Sequence, residues 1–84
     1  MNNAEIIAKG QKYCLNVFNR LPIAMVRGEG SYVFDADGNK YLDFVSGIAV
    51  NALGHAHPYV AAALAEQATQ LIHSSNLYWI EPQV

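Results

Sequence analysis

Disulfide chemistry is the first thing this 84-residue chain lacks, because Cys14 is its single cysteine. No bridge can staple the fold, and no Cys/His cluster has the spacing of a structural zinc site. Charge is scarce as well. Five Lys/Arg and seven Asp/Glu make up 14% of the residues and leave a net charge of −2. With a pI near 5.8 and basic residues that do not cluster, nothing offers an electrostatic footprint to nucleic acid. The first residues lack a basic region leading into an apolar one, so no signal peptide is expected. One cysteine without a leader points to the reducing cytoplasm. Residues 44–65 contain no Asp, Glu, Lys or Arg, and that length suits a membrane span. Asn51, His55, His57 and Pro58 interrupt it, however, and unsatisfied polar groups in hydrocarbon cost on the order of several kcal/mol each. No membrane span is expected.

What is abundant is apolar surface. Hydrophobic residues are 52% of the chain, yet a domain this short buries only roughly 60% of its unfolded surface. That balance suits a piece of a larger core or of a subunit interface. Residues 1–84 are expected to form one incomplete domain.

Asn2 and Glu5 have capping-box spacing. Ile6/Ile7, Gly10, Tyr13/Cys14 and Val17/Phe18 then recur at helical period, with Pro22 ending the region. Glu5 and Lys9 form an i,i+4 pair in the favourable order. Ile23–Arg27 reads as a short strand punctuated by Gly28 and Gly30. Residues 31–35 and 40–45 are β-rich runs, and Asp37-Gly38 between them signals a hairpin. Pro58 suits a first helical turn. After it Val60, Leu64, Ala68 and Leu71/Ile72 mark one helical face, and Tyr59, Glu66, Gln70 and His73 the other. Ser74-Ser75-Asn76 breaks that helix, and residues 77–80 make an aromatic connection. Residues 81–84 then resemble a helix opening.

Several motifs invite a sharper reading. Gly28-Glu29-Gly30 hints at a phosphate loop, but a dinucleotide fingerprint needs a third glycine where Val33 stands and a helix where a strand follows. A backbone turn needing positive φ is the simpler account. Asp35, Asp37 and Asn39 mimic the start of a calcium loop, yet Lys40 and Ser46 occupy the positions of its glycine and bidentate glutamate. A solvated hairpin tip is expected instead. His55-x-His57 offers two imidazoles where zinc needs three or four ligands. The pair is expected at a loop-to-helix junction, bonding backbone through its ring nitrogens, with no metal. Ser74-Ser75-Asn76 reads either as a polar turn or as polar groups facing a ligand pocket. Tyr78 and Trp79 are normally packing residues, and their position suggests an absent partner surface.

Taken in order, Gly28-x-Gly30, Tyr32-x-Phe34-Asp35, Asp37-Gly38, Tyr41-Leu42-Asp43-Phe44, Gly47-Ile48-Ala49-Val50, Leu53-Gly54-His55-x-His57-Pro58 and Ser75-Asn76 resemble the N-terminal segment of the class III aminotransferases. The likeness covers about residues 16–83 and looks closest to the acetylornithine branch. It implies an α/β fold of N-terminal helix, β-hairpin, loop and helix, truncated before the large cofactor-binding domain of a fold-type I homodimer. Such enzymes move an amino group from N-acetylornithine to 2-oxoglutarate through pyridoxal phosphate (PLP), a step of arginine biosynthesis. Their chemistry needs a lysine to hold PLP and shuttle protons, an acid at the pyridine nitrogen and donors around the phosphate. The resemblance places all of these after Val84. Lys9, Lys12 and Lys40 match none of them, so no catalytic and no cofactor-binding residue is expected here, and the isolated chain is expected to be inactive.

What the resemblance assigns to this segment is pocket wall. In ornithine-type relatives the position of Ile48 is a tyrosine facing the substrate, so Ile48 implies a pocket for an acylated amino acid. Phe18 stands where a tyrosine is usual and lacks its hydroxyl, and Asn76 is the third pocket candidate. Such walls set specificity rather than the chemical step. The same resemblance extends to enzymes for ornithine, succinyldiaminopimelate or 4-aminobutyrate. A free-standing, non-enzymatic α+β module dimerising through residues 78–80, or a small His-x-His metal protein, are the readings from other classes.

Overall fold

The computed structural model describes all 84 residues, Met1–Val84. Helix α1 spans Asn3–Tyr13, and strands β1 (Met25–Glu29), β2 (Tyr32–Asp35) and β3 (Lys40–Leu42) form one antiparallel sheet in the order β1-β2-β3. A four-residue turn, α2 (Ser46–Ala49), leads to helix α3 (Pro58–Ala68), and residues Glu81–Gln83 make a final 3₁₀ turn. No helix is long and apolar enough to cross a membrane.

The capping box forms as its spacing predicts. The Asn2 side chain accepts from the Glu5 N–H, and the Glu5 carboxylate accepts from the Asn2 N–H, both at 2.9 Å. Glu5 is therefore spent on the cap, and no ion pair to Lys9 forms. The helix also stops earlier than the apolar period suggests. Cys14 is already extended, with φ −102° and ψ 141°, so Val17 and Phe18 lie beyond α1. Gly10 weakens the helix, and no apolar surface covers its far end.

The sheet forms from the predicted β-rich runs with shifted bounds: β1 runs from Met25 to Glu29 rather than Ile23 to Arg27, and β3 stops at Leu42, three residues short of the expected end. Val33 faces both Gly28 and Tyr41, and Phe34 faces Arg27 and Lys40. The register shifts between Met25 and Arg27, a bulge that bends the start of β1. Across the strands the Arg27 guanidinium lies 3.6 Å from the centre of the Phe34 ring, and Lys40 Nζ lies 3.9 Å from that of Tyr32.

Helix α3 begins at Pro58 and ends at Ala68, short of Leu71. Side chains close its end: Thr69 Oγ1 donates to the Glu66 carbonyl at 2.8 Å, and Gln67 Nε2 to that of Leu71 at 2.9 Å. Its apolar face is covered only near its start: Val60 is 37% exposed, whereas Leu64 is 66% exposed. Only Ala24 and Asp35 are buried in the whole chain. The exposed area is 7518 Å², about 2600 Å² more than a compact monomer of 9.2 kDa presents. The radius of gyration is 16.5 Å, against roughly 12 Å for a compact domain of this length. The chain has a folded sheet but no core of its own.

Candidate functional site

The hairpin turn is where the sequence expectation needs most correction. Residues 35–39 do not form a merely solvated tip, because Asp35 is only 2% exposed. Its carboxylate accepts from five donors. Oδ1 takes the N–H groups of Asp37 (3.0 Å) and Asn39 (2.8 Å). Oδ2 takes Asn3 Nδ2 (3.0 Å), Asn39 Nδ2 (2.9 Å) and the Tyr41 hydroxyl (2.9 Å). The Asn39 amide first, then Asn3 and Tyr41, hold this carboxyl well below the usual carboxylate range, against the opposing effect of burial. The same contact pushes the Tyr41 phenol up. Asn3 completes the knot: its Oδ1 accepts from the Ala24 and Ala36 N–H groups at 3.1 and 3.2 Å, and its own N–H donates to Asp37 at 2.9 Å. One asparagine thus docks α1 on the sheet. Sequence reading missed it because the partners lie 21–34 residues away.

A second knot joins the strand end to the loop. His55 Nε2 lies 2.6 Å from Asp43 Oδ2, and since an ionised carboxylate only accepts, that nitrogen carries the hydrogen. Asp43 Oδ1 accepts from the Val45 and Ser46 N–H groups at 3.1 and 2.9 Å. The Ser46 N–H first, and then the His55 ring, hold the Asp43 carboxyl below its ordinary value. His55 also pairs by backbone with Gly30, at 3.1 and 2.7 Å. Gly28 explains itself here. The positive φ expected of the Gly28-Glu29-Gly30 turn falls on Gly30, at 57°, and not on Gly28; a Cβ on Gly28 would sit 2.5 Å from His55 Cβ and Cγ. His55 therefore bonds a carboxylate rather than backbone through its ring, whereas His57 behaves as expected. His57 Nδ1 accepts from the Tyr59 N–H at 3.2 Å and caps α3.

Between the two ends of this knot the chain makes an unusual turn. Ser46, Gly47, Ile48 and Ala49 have φ of 54°, 62°, 68° and 59°. Three of them carry a Cβ, and each such residue costs roughly 1–2 kcal/mol in the left-handed region. The turn closes through the Ile48 and Ala49 N–H groups to the Val45 carbonyl (3.1 and 3.2 Å) and the Val50 N–H to that of Ser46 (2.9 Å). No periodicity announces such a turn; Gly47 is its one local signal.

The three pocket candidates fall on three different segments. Ile48 projects from the left-handed turn and is 91% exposed. Phe18 lines an open cleft of about 630 Å³ between α1 and the chain leading to β1, without Ile48 or Asn76. Asn76 lies in an exposed turn in which the Tyr78 N–H reaches the Ser75 carbonyl at 3.0 Å and the Leu77 N–H reaches Ser75 Oγ at 3.2 Å. No three His, Cys, Asp or Glu side chains gather as a metal site.

A phosphate-bearing cofactor does not fit these residues. No buried side-chain polar atom lacks a partner, so none waits for a ligand. Lys9, Lys12 and Lys40 are all exposed, and the latter two lie over their own neighbours' rings, Tyr13 and Tyr32.

Comparison with known proteins gives this geometry its context. The family described as Aminotransferase class-III matches residues 15–84. The acetylornithine aminotransferase of Caldanaerobacter subterraneus is 54% identical over 79 residues, which are 94% of this chain and 20% of that protein. That of Methanopyrus kandleri is 56% identical over 72 residues, 86% of this chain and 18% of the relative. Among solved structures, the acetylornithine aminotransferase of Elizabethkingia anophelis superimposes with a TM-score of 0.84 at 35% identity, covering 95% of this chain and 20% of its own. The ornithine δ-aminotransferase of Plasmodium falciparum gives 0.85 at 25%, covering 96% and 21%. The chain spans about a fifth of the length of the relatives it matches.

Proposed function

We propose a role for this chain from one premise: it belongs to the class-III aminotransferase family. In this reading residues 1–84 are the N-terminal segment of an acetylornithine-type aminotransferase, an incomplete domain of a homodimeric fold-type I enzyme. The parent enzyme transfers the terminal amino group of N-acetylornithine to 2-oxoglutarate. The observation that carries this is identity near one half, over most of the chain, to proteins named acetylornithine aminotransferase. The area left bare, about 2600 Å² beyond a compact monomer's, supports packing against the rest of the enzyme and a partner subunit. An exposed, unpaired Cys14 agrees with a cytoplasmic location.

PLP supplies the electron sink for amino-group transfer, and the residues holding it lie outside these 84. This segment contributes the substrate wall. Ile48 takes the side of the acyl-bearing end, where its lack of a hydroxyl suits an amide rather than a free amine. Phe18 takes the amino-acid end of the substrate, through shape alone, and Asn76 is the third wall residue, although the chain by itself holds the three on separate segments.

The test uses the full-length enzyme, made from its own gene or by joining residues 1–84 to the remainder of the Caldanaerobacter subterraneus protein. It should transaminate N-acetylornithine in preference to ornithine. Ile48→Tyr adds bulk to a fitted wall, a change costing about 1–3 kcal/mol. The expected result is a loss of about tenfold or more in kcat/KM for N-acetylornithine, with a smaller loss for ornithine. An unchanged ratio between the substrates removes Ile48 from the pocket.

A further inference from the structure

Ile48 has almost no packing of its own, so the direction of its side chain is set by its backbone. That backbone is the left-handed turn Ser46–Ala49, and such conformations persist only where their surroundings over-determine them. Few contacts are available to do so. Asn51 Nδ2 reaches the Ser46 carbonyl at only 3.5 Å, and the three internal N–H bonds of the turn, from Ile48, Ala49 and Val50, are of the kind any tight turn makes. The remaining restraint enters at one point. Asp43 Oδ1 grips the N–H groups of Val45 and Ser46, the two residues where the chain swings into positive φ. The other oxygen of the same carboxylate is clamped by His55 at 2.6 Å. His55 cannot drift, because its backbone is bonded twice to Gly30 and its ring fills the space left by the missing Cβ of Gly28. Rigidity built in the sheet thus reaches the turn through one side-chain contact.

We propose that Asp43 and His55 are positioning residues, whose contact holds the left-handed turn and so fixes Ile48 as the selective wall of the substrate channel. The role in selectivity rests on the reading of Ile48 given above; the hold on the turn does not. Neither residue touches the reacting atoms. His55 is one rung further from the substrate than Ile48, and Asp43 is the link between them.

The two layers separate experimentally in the full-length enzyme. Amide hydrogen exchange over residues 45–50 reads the turn directly, through the N–H groups of Ala49 and Val50. Steady-state kinetics on N-acetylornithine and ornithine read selectivity. His55→Ala should speed exchange at Ala49 and Val50 and lower the ratio of kcat/KM values, N-acetylornithine over ornithine, by about tenfold, through KM more than kcat. His55→Gln keeps an N–H donor for Asp43 and should restore both towards the parent. If His55→Ala does not fold, Asp43→Asn replaces it, since the amide still offers an acceptor to Val45 and Ser46 but loses the charge under His55. Unaltered exchange overturns the hold on the turn. Faster exchange with an unchanged substrate ratio overturns the role in selectivity, as does an equal loss on both substrates that His55→Gln fails to repair. An enzyme that turns over neither substrate removes the functional reading, and the exchange data still decide whether the contact holds the turn.

Discussion

The sheet with its loop, residues 24–57, and the stretch 58–84 hold themselves together in opposite ways. In the first, Asp35 and Asp43 gather near neighbours and one distant donor each, Asn3 from α1 and His55 from the loop, over separations of 32 and 12 residues. In the second, the hydrogen bonds span four residues or fewer, while Leu77 and Trp79 stand 87% and 93% exposed. The first region positions itself. The second has local structure, and its apolar area is left bare. Exposed apolar surface on this scale marks an interaction site rather than a solvent face.

The largest break in that contrast comes from Asp35→Ala. It leaves five donors without their acceptor and removes one of the four bonds by which Asn3 docks α1 on the sheet, so the unfolding midpoint in urea should fall further than for any other substitution named here. Acid should mimic it. The folded Asp35 and Asp43 carboxyls both titrate below their ordinary range, so the unfolded chain takes up protons first as pH falls below about 4. Their contribution is complete above that pH and drains away as pH drops towards the folded values. Melting curves from pH 7 down to pH 2 check the sign; a gain of stability in acid contradicts it.

Next in size is Gly28→Ala, which drives a Cβ into His55 and should cost about 2 kcal/mol by overpacking. Gly10 is the control. It is also within a regular element, but nothing lies within 4 Å of the place a methyl group would take there, so alanine carries no clash. Chemical denaturation of the full-length enzyme compares the two, and equal responses would mean the His55 contact is not tight. The smallest effect sharpens the other side of the comparison. Leu64→Ala on the bare face of α3 should change the isolated chain by no more than about 0.5 kcal/mol, as surface substitutions do. On the proposed reading, in which the rest of the enzyme covers that face, the full-length protein should lose roughly 2 kcal/mol or more. Similar values in the two settings would leave α3 as a solvent-facing helix.

How much of this was legible depends on the distance between partners. The capping box at Asn2 and Glu5, the turn at Asp37-Gly38 and the helix start at Pro58 each need only residues within one turn of chain, and each appears where the sequence puts it. Helices α1 and α3 end at Tyr13 and Ala68, short of their apolar periods, because periodicity marks a face that packing must cover before the helix is worth extending. The candidate site was legible only in part. Gly54-His55-x-His57-Pro58 stands out as a motif and His57 caps α3 as a junction residue should, but nothing local shows the Asp43 partner of His55 or the close approach of His55 to Gly28.

By itself the sequence determined the kinds of element, their order and the family, because those rest on local conformational preference and on a string of short motifs in fixed succession. Tertiary structure alone decided that Asn3 docks a helix on a buried aspartate, that His55 fills the gap at Gly28, and that Ser46–Ala49 turns left-handed to carry Ile48. Each of those needs two stretches of chain brought together before any contact rewards the closure, and loop entropy leaves no trace of such a meeting in the local order of residues.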